Sequence, residues 1–162
     1  MYQVNPRNSA SENSFNAVAS HLDSIQTMGV NVLWFMPIYE IGELKSVNSP
    51  YSIRDYRSVN PEFGTLEDFK TLVAESHKRG MIVIIDWVAN HTSPDALWIT
   101  ERPADWYVRD EQGNTIVQYD WTDIAKLNYD NHDMRAEMEK SMRFWMERGI
   151  DGFRCDMACE MP

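Results

Sequence analysis

Three times in 162 residues a helix-like pattern runs into a glycine and then, within two or three residues, into a short apolar run. The first unit sets Phe15, Val18, Ala19, Leu22 and Ile25 on one helical face, stops at Gly29 and continues into "VNVLWFMP". The second opens at Thr65 with Asp68 three residues on, a capping-box pattern. It carries Leu66, Phe69, Leu72 and Val73 on one face, stops at Gly80 and leads into "MIVIID". The third places Met134, Met138, Met142 and Trp145 on a face, closes at Gly149 and leads into "IDGFRCD". With "YQVN" as an opening strand the order is βαβαβαβ, and the near-continuous apolar runs predict parallel strands covered on both sides.

Connection lengths choose between the two α/β architectures this rhythm allows. Strands follow helices closely, whereas the segments after strands are long, roughly residues 37 to 64 and 87 to 131. The long loops therefore gather at the C-terminal strand ends, where barrel enzymes build their sites. A doubly wound sheet would carry a glycine-rich turn after its first strand, and here that segment reads "PRNSASENS". The expectation is the first half of a (β/α)8 barrel, strands 1 to 4 over residues 1–162, with a short loop domain at 87–131 inserted after the third strand. A complete barrel has eight strands in about 250 residues, so the chain is expected to continue beyond this half. An open barrel edge of this kind would invite self-association.

Fifteen Lys and Arg against 25 Asp and Glu give a net charge of −10, which repels a phosphate backbone and argues against nucleic acid as a partner. No apolar run is long enough to span a bilayer, and no membrane partner is expected. Two cysteines, Cys155 and Cys159, four apart and far from any partner pair, are by their count expected to exclude a disulfide framework or a four-ligand zinc site. Cys155 lies between two polar residues and is expected to face the core as a small apolar residue.

Three polar groups lie at or beyond the strand ends: Tyr51, Asp55 and Tyr56 in "SPYSIRDY", Asp86, Asn90 and His91 in "DWVANH", and Arg154 and Asp156 in "FRCD". Asp86 and Asp156 stand six and seven residues after their glycines, which predicts one level on the barrel rim, with arginine and histidine converging there. Each has a plainer reading. Asp86 can cap a turn, Arg154 can simply neutralise a buried carboxylate, and His91 before Thr92, Ser93 and Pro94 can shape a turn. Their complementarity favours chemistry. An arginine beside a carboxylate keeps it ionised, as a nucleophile requires, and a histidine can hydrogen-bond a sugar hydroxyl as positive charge develops. Trp87, Trp98, Trp106 and Trp121, with Tyr107 and Tyr119, crowd one long loop; aromatic faces stack on sugars, but core packing is the expectation for most of them.

"DWVANH" and "GFRCD" resemble the first and second conserved regions of the α-amylase family, glycoside hydrolase family 13. "GVNVLWFMPI" and "SPYSIRDYRSVNPEFGT" are similar to its second strand and the segment that follows. The motifs fall in family order across nearly the whole chain. The resemblance implies a retaining α-glucan hydrolase or transglycosylase acting on α-glucans or malto-oligosaccharides. Asp156 would be the nucleophile and Arg154 the residue that orients it. Tyr51 and His91 would bind the sugar at the cleavage point, and Asp86 would support the site. "IAKLN" around Leu127 resembles the motif of the loop domain after the third strand. No cofactor is implied as required. Asn90 matches a residue that ligates a structural calcium in many members, but Cys159 and Glu160 replace the Lys-His pair that helps hold the ion and contacts leaving-group sugars. Glu160 is accordingly a further candidate for substrate contact.

The family's general acid is a glutamate on a fifth strand and its second stabilising acid sits on a seventh. Neither strand lies in this sequence, so the chain alone is expected to be inactive. Two other readings stay open: a non-catalytic amylase-like scaffold or sugar-binding subunit, against which retention of Asp156, Arg154 and His91 argues, and a metal-dependent hydrolase using Asp86, His91 and Asp156, disfavoured by four histidines with no His-x-His pair.

Overall fold

The computed structural model describes residues 1–161. In chain order the elements are β1 (Tyr2–Val4), α1 (Ser14–Ser20), α2 (Leu22–Thr27), β2 (Val32–Phe35), β3 (Glu40–Ile41), β4 (Ile53–Asp55), α3 (Leu66–Lys78), β5 (Ile82–Val88), β6 (His91–Thr92), α4 (Leu97–Glu101), β7 (Ala125–Lys126), α5 (His132–Met146) and β8 (Gly152–Asp156). One sheet has the order β1-β2-β5-β8, with β1 parallel to β2 and β2 parallel to β5. Its strands are separated in sequence by the helices α1 and α2, then α3, then α5, the crossovers that parallel neighbours need. Pairs β3–β4 and β6–β7 are short antiparallel ladders within the long loops. Among the described residues no helix is long and apolar enough to cross a membrane.

The chain divides into two compact units. The first comprises Met1–Ile38, Ser58–Trp87 and Arg143–Arg154; the second comprises Tyr39–Arg57, Val88–Met142 and the residues from Cys155 on.

In the first unit an aromatic cluster fixes helices to strands. The Phe69 ring lies 5.1 Å from Phe15, 5.9 Å from Phe35 and 5.8 Å from Trp145, and all four residues are fully buried. Leu33, Val83 and Ile85 complete the same core. The expectation of strands covered on both sides holds for only part of the sheet. Along β2, Leu33 and Phe35 are buried while Val32 and Trp34 are half-exposed, and on β5 Ile82 is exposed. The physical reason is periodicity: successive side chains point to opposite faces, and the cluster carrying Phe69 lies against one of them. Cys155 corrects a second expectation. It is exposed, because β8 is an outer strand among the described residues.

The Thr65–Asp68 capping box forms as the sequence predicts, with Asp68 N donating to Thr65 Oγ1 at 3.1 Å and Thr65 N donating to Asp68 Oδ2 at 2.8 Å. The helix stops Gly80 and Gly149 have φ of 72° and 99°, the left-handed region that an L side chain resists. The first helix differs from expectation, because it breaks at His21 into α1 and α2. Ser20 Oγ donates to the Ala17 carbonyl at 2.7 Å and His21 Nδ1 lies 2.8 Å from the same oxygen, so side chains compete for a carbonyl the helix would use.

Candidate active site

In the first unit β2, β5 and β8 each contribute one polar group to a buried cluster. Asp86 is completely buried, a position a carboxylate tolerates only when it is paired and hydrogen-bonded. Arg154 Nη1 donates to both of its oxygens, at 2.9 and 3.0 Å, and Trp34 Nε1 donates to Oδ2 at 3.3 Å. The guanidinium also lies over the Trp34 ring, 5.0 Å from its centroid. The plainer reading of Arg154, a cation that neutralises a buried carboxylate, therefore describes a real interaction whatever else the residue does.

In the second unit a cavity of about 290 Å³ is lined by Tyr51, His91, Trp121, Asp123, Asp156 and Met157, among others. His91 comes from β6, whose backbone is held from below. The buried Tyr56 hydroxyl lies 2.6 Å from the Val88 carbonyl and 2.9 Å from the His91 carbonyl, and burial pushes its pKa well up, so it remains a donor. Tyr129 supports the same segment, donating to the Ala89 carbonyl at 2.8 Å.

The tautomer of His91 follows from its neighbour. Asn90 Nδ2 has only protons to offer and lies 3.2 Å from His91 Nδ1, which must accept. The ring proton is then on Nε2, a buried atom with no partner at hydrogen-bond distance. A buried donor without an acceptor on a cavity wall is suited to an incoming oxygen. Burial holds the His91 pKa down, while the carboxylates of Asp156 and Asp123 and the nearby Tyr51 backbone, which completes no hydrogen bond with Nε2, pull it up; burial prevails, favouring the neutral ring.

Asp156 ends β8, and the next residue, Met157, has φ of 52°. Left-handed backbone at a non-glycine residue is strained and persists where the surroundings enforce it, commonly beside functional groups. Glu160 lies elsewhere in this unit. It lines a second cavity with Asn90 and Asp130, and its carboxylate oxygens accept from Tyr119 Oη at 2.6 Å and Gln118 Nε2 at 3.1 Å.

The loop tryptophans divide as their environments dictate. Trp87, Trp98 and Trp106 are buried, whereas Trp121 is 37% exposed and faces the first cavity. Asp123 and Met157 were not singled out by the sequence. The available signal for Asp123 was its place one residue before "IAKLN"; Met157 offered none, since its feature is a backbone angle.

Asn90 was matched to a calcium ligand. Its amide nitrogen is engaged with His91, and among the described residues no three His, Cys, Asp or Glu side chains are grouped to hold a metal.

Comparisons with known proteins place this geometry in context. A family model described as alpha amylase, catalytic domain, matches residues 7–115 and 100–161. Trehalose-6-phosphate hydrolase of Bacillus subtilis (strain 168) is 34% identical over 194 residues, covering 97% of this chain and 34% of that protein. The amino acid transporter heavy chain SLC3A1 of Homo sapiens is 30% identical over 195 residues, covering 96% and 28%. An alpha-amylase from Lactobacillus plantarum superimposes with a TM-score of 0.93 at 40% identity, covering 99% of this chain and 39% of that one. The chain spans about a third of the length of the curated relatives it matches. With these likenesses, β1, β2, β5 and β8 and their helices are the first half of a (β/α)8 barrel.

Proposed function

The chain belongs to the α-amylase catalytic-domain family, and from that premise we propose that it carries the nucleophile side of a retaining α-glucan active site. The observation that carries the proposal is the cavity shared by Asp156, His91 and Tyr51. An Asp156 oxygen attacks the anomeric carbon as the bond to the leaving oxygen breaks, forming a glycosyl ester. The leaving oxygen takes a proton from a general acid, and water then displaces the carboxylate with net retention. His91 Nε2–H donates to a hydroxyl of the bound sugar, an interaction that strengthens as the ring gains positive charge. Tyr51 packs on the ring. Arg154 pairs with Asp86 and fixes it from the strand from which Asp156 projects, a supporting arrangement. The segment 87–131 is the family's loop domain in a short form, the substrate is an α-glucan or malto-oligosaccharide, and no cofactor is required.

None of the carboxylates described here is assigned as the acid, and with ordinary glucosides the chain alone is expected to turn over poorly. An α-glucosyl fluoride avoids that step because fluoride leaves without protonation. Fluoride release by the chain should be detectable and should fall at least about a thousandfold in Asp156→Asn. Release that is unchanged in the variant would remove Asp156 from the role.

A second reading is favoured by the likeness to a transporter heavy chain: an amylase-like domain retained for binding or scaffolding. It predicts sugar binding or partner binding without Asp156-dependent fluoride release. The outer strands β1 and β8 are proposed as edges through which copies of the chain associate.

A further inference from the structure

Glu160 stands where a contact to substrate was expected, yet both of its oxygens are engaged by the turn at residues 118–121. Tyr119, at the apex, has φ of 54° and is 63% exposed, an arrangement with little reason to persist unless something holds it. The turn is closed by Trp121 N donating to the Gln118 carbonyl at 3.0 Å. Gln118 itself is buried. The Tyr119 and Trp121 rings meet edge to face at 5.2 Å, and Trp121 meets the His91 ring at 6.2 Å in the same manner. The carboxylate of Glu160 thus grips two residues of a turn whose last residue forms a wall of the Asp156 cavity.

Trp121 is the most exposed of the tryptophans in this loop, and the cavity it lines also carries His91, Asp123 and Asp156. An indole left open beside two carboxylates and an imidazole donor offers what a pyranose binds: a flat apolar face next to hydroxyl partners. We propose that Trp121 is a sugar platform of this cavity and that Glu160 is a positioning residue, holding the platform in place through Tyr119 and Gln118. The inference rests on the reading of the cavity as an α-glucan site and adds a specificity element to it. Glu160 touches no sugar in this account. It is needed as a two-point acceptor, a task for which glutamine supplies one carbonyl acceptor and alanine supplies none.

Titration of the chain with maltotriose, followed by tryptophan fluorescence, tests the platform. Binding should perturb the emission, Trp121→Ala should abolish most of that change, and affinity should weaken roughly tenfold, as loss of one aromatic contact implies. Glu160→Ala and Tyr119→Phe should each weaken binding several-fold, with Glu160→Gln recovering much of the loss. A ¹⁵N-indole spectrum of the sugar-free chain gives a readout independent of ligand: the Trp121 resonance should shift or broaden in Glu160→Ala and return in Glu160→Gln. If Trp121→Ala binds as the parent does, or if the parent does not bind, the platform is overturned. If the Trp121 resonance ignores Glu160→Ala, the positioning role is overturned. Asp156-dependent fluoride release reports on the nucleophile separately, so failure of the platform and failure of the active-site reading give different patterns.

Discussion

Asp86, completely buried between a guanidinium and an indole N–H, shows how a single residue can be legible in position and obscure in partnership. Its place at the end of an apolar run was readable from spacing, as were Arg154 and Asp156 on the next strand. That Arg154 Nη1 bonds both Asp86 oxygens was not readable, because sequence periodicity tells which face a residue takes but not which group it reaches on the neighbouring strand. Removing the cation should therefore be felt in stability. Arg154→Met leaves Asp86 short of a partner; breaking a buried pair costs about 3 to 5 kcal/mol, and since the arginine side chain is 37% exposed a loss of about 2 kcal/mol in urea unfolding is expected. Adding Asp86→Leu should recover part of it, whereas strictly additive losses would contradict the pairing. His91 gives a pH signature. Its pKa is held below the ordinary 6.5, so the unfolded chain binds the proton more readily. The resulting stability is present above pH 6.5 and is lost as pH falls through the depressed folded value. Unfolding of His91→Gln should lose that part of the acid-side decline; an unchanged profile would mean His91 is not buried neutral.

At the scale of elements, the repeating helix, glycine and strand was the strongest signal, and all three glycine stops have positive φ. The capping box was equally direct. Thr65→Ala should cost about 1 kcal/mol, measured by thermal or urea unfolding, because it leaves a first-turn N–H without its acceptor. What the sequence concealed were the short ladders β3–β4 and β6–β7, since two or three residues carry no usable period. The support they receive was hidden for the same reason. Tyr56, in the recognised "SPYSIRDY" segment, acts on the segment that carries His91 through its hydroxyl. Tyr56→Phe should destabilise by about 1 to 3 kcal/mol through loss of the one buried O–H that the Val88 and His91 carbonyls share. It should also weaken sugar binding beyond what the stability change explains; an effect on stability alone would limit Tyr56 to the core.

For the whole molecule, the family, the half-barrel and the cavity residues Tyr51, His91 and Asp156 were available from ordered motifs, while Trp121, Asp123 and the hold of Glu160 on its turn depend on how a long loop folds on itself. Among the described residues the sheet ends in β1 and β8, and sedimentation across a dilution series should show mass increasing with concentration if copies pair through these edges. A monomer at every concentration would exclude that association. The central claim is that Asp156 is a glycosyl acceptor, and covalent trapping tests it most directly. The chain is incubated with 5-fluoro-α-glucosyl fluoride, in which the ring fluorine slows both steps while the leaving fluoride lets the first proceed, and its intact mass is measured before peptide mapping. The account predicts one added fluoroglucosyl group, located on the peptide containing Asp156 and absent from Asp156→Asn. A folded chain that gains no mass, or gains it on any other residue, would contradict it.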